Sequence, residues 1–183
     1  MSNFFKEYAD RLQNIMENYS WDNVEKLAER MDEAWKNNQQ IFLCGNGGSA
    51  GNAIHLANDF IYGVAKGKGP GMRIHALPAN QAVMTCLAND ESYAEVFSQQ
   101  LAALGNSGDI LIVLSGSGNS PNVVRALEKA KEMGMYTSAI LGYSGGKCLE
   151  LADLPIHFAI DDMQISEDLQ QIVGHMIMRK ICK

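Results

Sequence analysis

The chain has 183 residues, of which 46% are apolar and 20% charged, and its formal net charge is −6. This composition excludes a disordered chain or a collagen-like repeat and suits one domain with a buried core. The acidic balance repels a polyphosphate backbone, so no nucleic-acid partner is expected, although one small phosphate in a local pocket remains compatible with it.

The first twenty residues mix charges among apolar positions and form no basic leader before an apolar run, so no signal peptide is expected. Phe4, Tyr8, Leu12, Ile15 and Tyr19 recur at helical spacing within residues 3–19. Val24, Leu27, Ala28, Met31 and Trp35 do the same within residues 21–38, with Ser20 as the expected N-cap. Residues 41–44 (IFLC) form a short strand that runs into GNGGS at 45–49, and helical periodicity follows to about residue 62. Residues 63–71, rich in Gly, Lys and Pro, read as an exposed loop, and 73–77 as a strand. Two helical segments are expected near 80–88 and 91–104. Residues 109–114 (DILIVL) give the clearest strand, apolar enough to be buried on both faces. SGSGNSP at 115–121 leads into a helix over 121–133, with Pro121 in its first turn. A strand over 135–141, a short helix over 145–152, a strand over 154–158 and a helix over 166–182 complete the order.

No stretch reaches eighteen apolar residues, so no membrane partner is expected. Cys44, Cys86, Cys148 and Cys182 are scattered without a CxxC pair and read as free thiols of a reducing cytosol, which places the protein in the cytoplasm. Cys44 reads as a small buried hydrophobe. After the two leading helices, strands and helices alternate, which predicts an α/β three-layer sandwich around a parallel sheet. The leading helices have no core of their own and must pack on the sandwich or on a neighbouring subunit.

The two glycine/serine segments, 45–49 and 115–120, each follow a strand and open a helix. Such a turn aims free N–H groups and the positive end of a helix dipole at one spot. Glycines let the backbone approach an oxygen, and hydroxyls add donors without charge. Two such loops at strand ends of one sheet point to anion binding, with Ser115, Ser117 and Ser120 foremost and Ser49 next. Neither loop fits the dinucleotide fingerprint or the GK[ST] of a nucleoside-triphosphate loop, so no nucleotide cofactor is expected.

GNGGSAGNAIHLAND, LSGSGNSPNVVRALEKAKEMGM and a last helix with Glu167 and His175 eight residues apart resemble the sugar-isomerase (SIS) domain family, and within it the phosphoheptose isomerases. The resemblance implies a flavodoxin-like, five-stranded parallel sheet preceded by two helices. It also implies a homotetramer with active sites between subunits and interconversion of sedoheptulose 7-phosphate with glycero-manno-heptose 7-phosphate. Ser49, Ser115, Ser117 and Ser120 match phosphate-binding positions, with Gly47, Gly48, Gly116 and Asn119 in the same loops. Asn46 and Asp90 match sugar-contacting positions. Asp59 falls where the family has a catalytic glutamate, His175 matches its catalytic histidine, Glu167 stands where a glutamine is usual, and Gly116 replaces a threonine. In some members the positions of His55, Asp59, Glu167 and His175 bind zinc, which implies one divalent metal per site here.

Exchange between a ketose and an aldose moves a proton between adjacent carbons through an enediol and needs one base and one acid. His55 and Asp59 are four apart on one helix and share a face; residues 167, 171 and 175 share a face of the last helix. Two carboxylates and two imidazoles suit an acid/base pair, and equally a divalent metal site. Relatives that bind a replication initiator or sense a phosphosugar without catalysis typically lose these positions, so their presence favours an enzyme; the serine loops read phosphate and not chain length, so another ketose phosphate is the alternative substrate. His75 and His157 lie in strands and receive no role.

Overall fold

The computed structural model describes residues 3–67 and 69–183. Two helices, α1 (Phe4–Asn18) and α2 (Asp22–Lys36), precede an alternation of five strands with helices. The strands are β1 (Gln40–Cys44), β2 (Arg73–Ala76), β3 (Ile110–Ser115), β4 (Tyr136–Leu141) and β5 (Leu154–His157). Between and after them lie α3 (Gly47–Asn58), α4 (Gln81–Asp90), α5 (Ser98–Leu104), α6 (Pro121–Glu132), α7 (Gly146–Leu151) and α8 (Met163–Ile181). All strand pairs are parallel and the sheet order is β2-β1-β3-β4-β5.

Every residue of β1 and β3 is buried, and alternation assigns their side chains to two cores. Ile41, Leu43, Ile110, Ile112 and Leu114 join Leu27 and Met31 of α2, Leu56 of α3 and Leu169, Val173 and Ile177 of α8. Phe42, Cys44, Leu111 and Val113 face the opposite way, toward Leu101 of α5 and Val123, Ala126 and Leu127 of α6. The sheet is thus sandwiched between helices, as the alternation predicts. Cys44 is fully buried, and that burial pushes its thiol far above the ordinary range, as suits a packing residue.

α2 buries Val24, Leu27, Ala28, Met31 and Ala34, while Trp35 is half-buried with its indole N–H donating to the Pro70 carbonyl at 3.2 Å. α1 has no fully buried residue, and Phe4 and Phe5 are exposed. It is held to α8 by polar contacts: the Tyr8 hydroxyl donates to Asp168 at 2.6 Å and Arg11 pairs with Asp162 at 2.8 Å.

Several boundaries differ from those expected. Ser20 does not cap the second helix; Trp21 takes the cap position without a side-chain bond. The helix expected over 91–104 is broken into a 3-10 turn at Tyr93–Glu95 and α5, because Ser92 is extended and the buried Val96 and Phe97 must reach the second core. α8 starts three residues early because the Asp162 carboxylate accepts the Ile165 N–H at 3.1 Å, a side-chain cap. α3 ends at Asn58 and passes into a π-helical turn, Asp59–Gly63. There Val64 N–H reaches back to Asp59 at 3.0 Å, which frees the Phe60 carbonyl to accept Met72 N–H at 3.0 Å and so anchors the chain entering β2.

The N–H of Ile165, followed by the Arg11 contact, holds the Asp162 carboxyl below the ordinary carboxylate range. A depressed folded-state value means its contribution is present above the unfolded value and is lost as pH falls through the folded one. Asp162→Ala is therefore expected to lower unfolding free energy by about 1 kcal/mol at neutral pH, measured by urea titration. The two proteins should converge in acid; a constant difference down to the lowest pH would contradict this account.

Candidate active site

At the C-terminal ends of β1 and β3 the chain turns into α3 and α6, each twelve residues long, so two helix N-termini face one crevice. Asn46 occupies the cap position of α3 but makes no capping bond. Its amide instead pairs reciprocally with that of Asn122 on α6: Asn46 Nδ2 donates to Asn122 Oδ1 at 2.9 Å, and Asn122 Nδ2 donates back at 2.7 Å. The Tyr93 hydroxyl also donates to Asn46 Oδ1, at 3.2 Å. Helical bonding of α3 begins with Ala50 N–H to the Asn46 carbonyl, so the N–H groups of Gly47, Gly48 and Ser49 precede the ladder.

These groups border a cavity of about 260 Å³. Asn46, Gly47, Gly48 and Ser49 line one side, and Ser115, Gly116, Ser117 and Ser120 the other, with Met163 and Glu167 of α8 closing it. Ser115 Oγ accepts Gly118 N–H at 3.0 Å and Ser117 Oγ accepts Asn119 N–H at 3.3 Å, so both hydroxyls keep their protons to donate. Ser120 makes no capping bond. Among the described residues no lysine or arginine lines the cavity, so its attraction for an anion comes from N–H dipoles and hydroxyls. A Cβ at Gly116 would lie 2.7 Å from Met163 Sδ: the methionine fills the room a larger residue there would use.

Two residues expected to touch the ligand are turned elsewhere. Asn119 braces its loop, donating to the Ser117 carbonyl at 3.3 Å and accepting Lys147 N–H at 3.1 Å, because Gly118 is pressed against the start of α7. Asp90, at the exposed end of α4, bonds Asn89 at 2.8 Å and Cys86 at 3.4 Å, and Tyr93 takes the place beside Asn46.

A second cluster lies further along α3 and α8, which run in the same direction. Asn52 Nδ2 donates to the Glu167 carbonyl at 2.9 Å and to Gln170 Oε1 at 3.0 Å, and Gly174 admits Leu56 where a Cβ would be only 2.2 Å from it. One turn on, His55 Nε2 and His175 Nε2 stand 3.1 Å apart, and each is 3.3 Å from Asp59 Oδ2. The three donors form a nearly regular triangle that opens to solvent, both histidines being about half exposed. Tetrahedral zinc with bonds of about 2.0–2.1 Å holds its donors roughly 3.3–3.4 Å apart, so the triangle matches one face of such a site and leaves a fourth position open. Two imidazoles and one carboxylate are also the donor set such an ion takes.

Glu167 does not join this triangle. It precedes His175 by eight residues, about 12 Å along a helix axis, and its carboxylate lies over Gly48 in the anion cavity. His75 and His157 hold to structural partners, Gln40 at 3.2 Å and the Tyr143 carbonyl at 2.9 Å. A larger cavity of about 770 Å³ beside β2 includes His75, and among the described residues that line it none is acidic.

Asn122 and Tyr93 were not legible as site residues. Asn122 directly follows the serine loop, and that adjacency was the available signal. Tyr93 is brought in by the break between α4 and α5, which sequence periodicity does not reveal.

The SIS domain family model matches residues 3–142. Phosphoheptose isomerase of Helicobacter pylori is 39% identical over 145 residues, 79% of this chain and 75% of its own. That of Aneurinibacillus thermoaerophilus is 33% identical over 182 residues, 97% of this chain and 91% of its own. The structure of a phosphoheptose isomerase from Francisella tularensis superposes with a TM-score of 0.92 at 26% identity, covering 98% of this chain and 95% of that one. The chain belongs to the SIS domain family, among its phosphoheptose isomerases.

Proposed function

We propose that the protein interconverts sedoheptulose 7-phosphate and glycero-manno-heptose 7-phosphate, an early step in making the heptose of bacterial surface polysaccharide. The observation that carries this reading is the spacing of two sites on one helix pair. From Gly48 to His55, and from Glu167 to His175, is about 10–12 Å along α3 and α8. An extended chain gains roughly 1.2 Å per covalent bond, so the seven bonds from phosphorus to C2 of a heptulose 7-phosphate span about 8–9 Å. A triose phosphate is too short to place phosphate and carbonyl at both sites.

In this reading Ser49, Ser115, Ser117 and Ser120, with the N–H groups of Gly47, Gly48 and Ser49, hold the phosphate. Asn46, locked by Asn122, faces the adjoining sugar hydroxyl. Asp59 has Oδ2 committed to the histidines, while Oδ1, held by Asn58 at 3.3 Å, keeps a lone pair to take the proton from C1 of the ketose and return it to C2. His175 faces the C1 and C2 oxygens, and where its Nε2 is not taken by a metal it moves the compensating proton between them. The His55–Asp59–His175 triangle fits zinc, which when bound supplies positive charge that stabilises the enediolate oxygens. The partner is a small phosphosugar, and the working unit is a homotetramer in the cytoplasm. The exposed Ile54, Ile61 and Tyr62, and an α4 with no buried residue, support assembly through this face.

Sedoheptulose 7-phosphate incubated in deuterated water should yield the aldose, followed by NMR, with deuterium at C2 in the fraction of turnovers in which the proton on Asp59 exchanges with solvent before its return. His175→Ala and Asp59→Asn should each reduce turnover by about 100-fold or more; aldose formation at an undiminished rate in both variants would exclude this assignment. Asn122→Leu should raise KM about tenfold by releasing Asn46, with kcat less affected. Elemental analysis should find about one divalent ion per chain, and chelation should remove activity that zinc restores. Full activity in a chelated, metal-free preparation would rule the metal out.

A further inference from the structure

The Glu167 side chain stands where an anion is to bind. It lines the cavity beside Ser49, Ser117 and Ser120, so close to α3 that a Cβ on Gly48 would fall 2.2 Å from Oε2. Asn52 holds its backbone carbonyl, but among the described residues no donor or cation engages its carboxylate. The acids nearest to it on α8 are occupied, Asp162 by Arg11 and Ile165 N–H, and Asp168 by the Tyr8 hydroxyl. The first two turns of α3 and the loop over 115–120 contain no ionisable side chain, and the aromatic ring near Gly116 belongs to Tyr143.

A carboxylate offers only acceptors, and so does a fully deprotonated oxyanion. Confined together in a small cavity without a cation, the two repel and gain no hydrogen bond. A phosphate that keeps one proton can donate its P–O–H to the carboxylate while its other oxygens accept from the serines and N–H groups. We propose that Glu167 is a specificity-determining residue, which admits oxyanions bearing a proton and rejects those that cannot carry one near neutral pH, such as sulfate. The proposal rests on the reading of this cavity as the phosphate site. For a phosphate monoester, whose second ionisation lies at about pH 6, binding then takes up a proton from solvent, and affinity falls as pH rises above that value.

Inorganic phosphate retains a proton at pH 7 and sulfate does not, so the two ions are the probes. Each is titrated by calorimetry into the wild-type protein and into Glu167→Gln, which keeps the shape and replaces an acceptor by a donor. The wild type should bind phosphate at least about tenfold more tightly than sulfate, as one charge-assisted hydrogen bond allows. In Glu167→Gln sulfate should gain about tenfold and the gap should close. Equal wild-type affinities, or an unchanged gap in the variant, overturn the role of Glu167 while leaving the phosphate site standing. Failure of both proteins to bind either ion overturns the phosphate site and this inference with it.

Discussion

The structure depends on a switch in strand order. After β1 the chain moves outward to β2, then returns to lay β3 on the other side of β1. The connections leaving β1 and β3 therefore diverge, one to each face of the sheet, and open a crevice between the first turns of α3 and α6. A single strand-to-helix turn offers a few N–H groups; two turned toward each other surround an anion. The reciprocal amide pair between Asn46 and Asn122 fixes their separation, and it takes the Asn46 side chain away from capping α3.

The parallel course of α3 and α8 then divides the labour. Their first turns bound a cavity built of dipoles and hydroxyls, and their later turns bring together two imidazoles and a carboxylate. Asn52 and Gly174 keep the two helices in register, Asn52 by hydrogen bonds and Gly174 by close approach. The helix pair thus sets a donor-lined cavity and a cluster of titratable groups along one line.

Features coded by local pattern were legible in the sequence. Strand alternation, the serine loops and the i, i+4 spacing of His55 and Asp59 are properties of short segments, and the structure places them as read. The misplacements arise where tertiary contacts choose between local options. Glu167 shares a helix face with His175, but sharing a face says nothing of distance along the axis, and eight residues carry the two side chains to different parts of the site. Asn119 has the composition of a ligand residue, yet its loop is pressed on α7 and uses the amide internally. The π-helical turn after Asp59 answers to a carbonyl needed by Met72, thirteen residues away from Asp59, which no helical periodicity could announce.

The contact between the serine loop and the start of α7 has a dynamic consequence. Gly118 and Gly146 both have positive φ and meet the opposing chain backbone to backbone, with no space for a Cβ at either position. The Gly118 carbonyl also accepts Cys148 N–H at 3.0 Å. Backbone wedged against backbone cannot swing as a flap, so the serine loop over 115–120 forms a fixed wall of the crevice. A side chain introduced at either glycine would have to force the serine loop and the start of α7 apart.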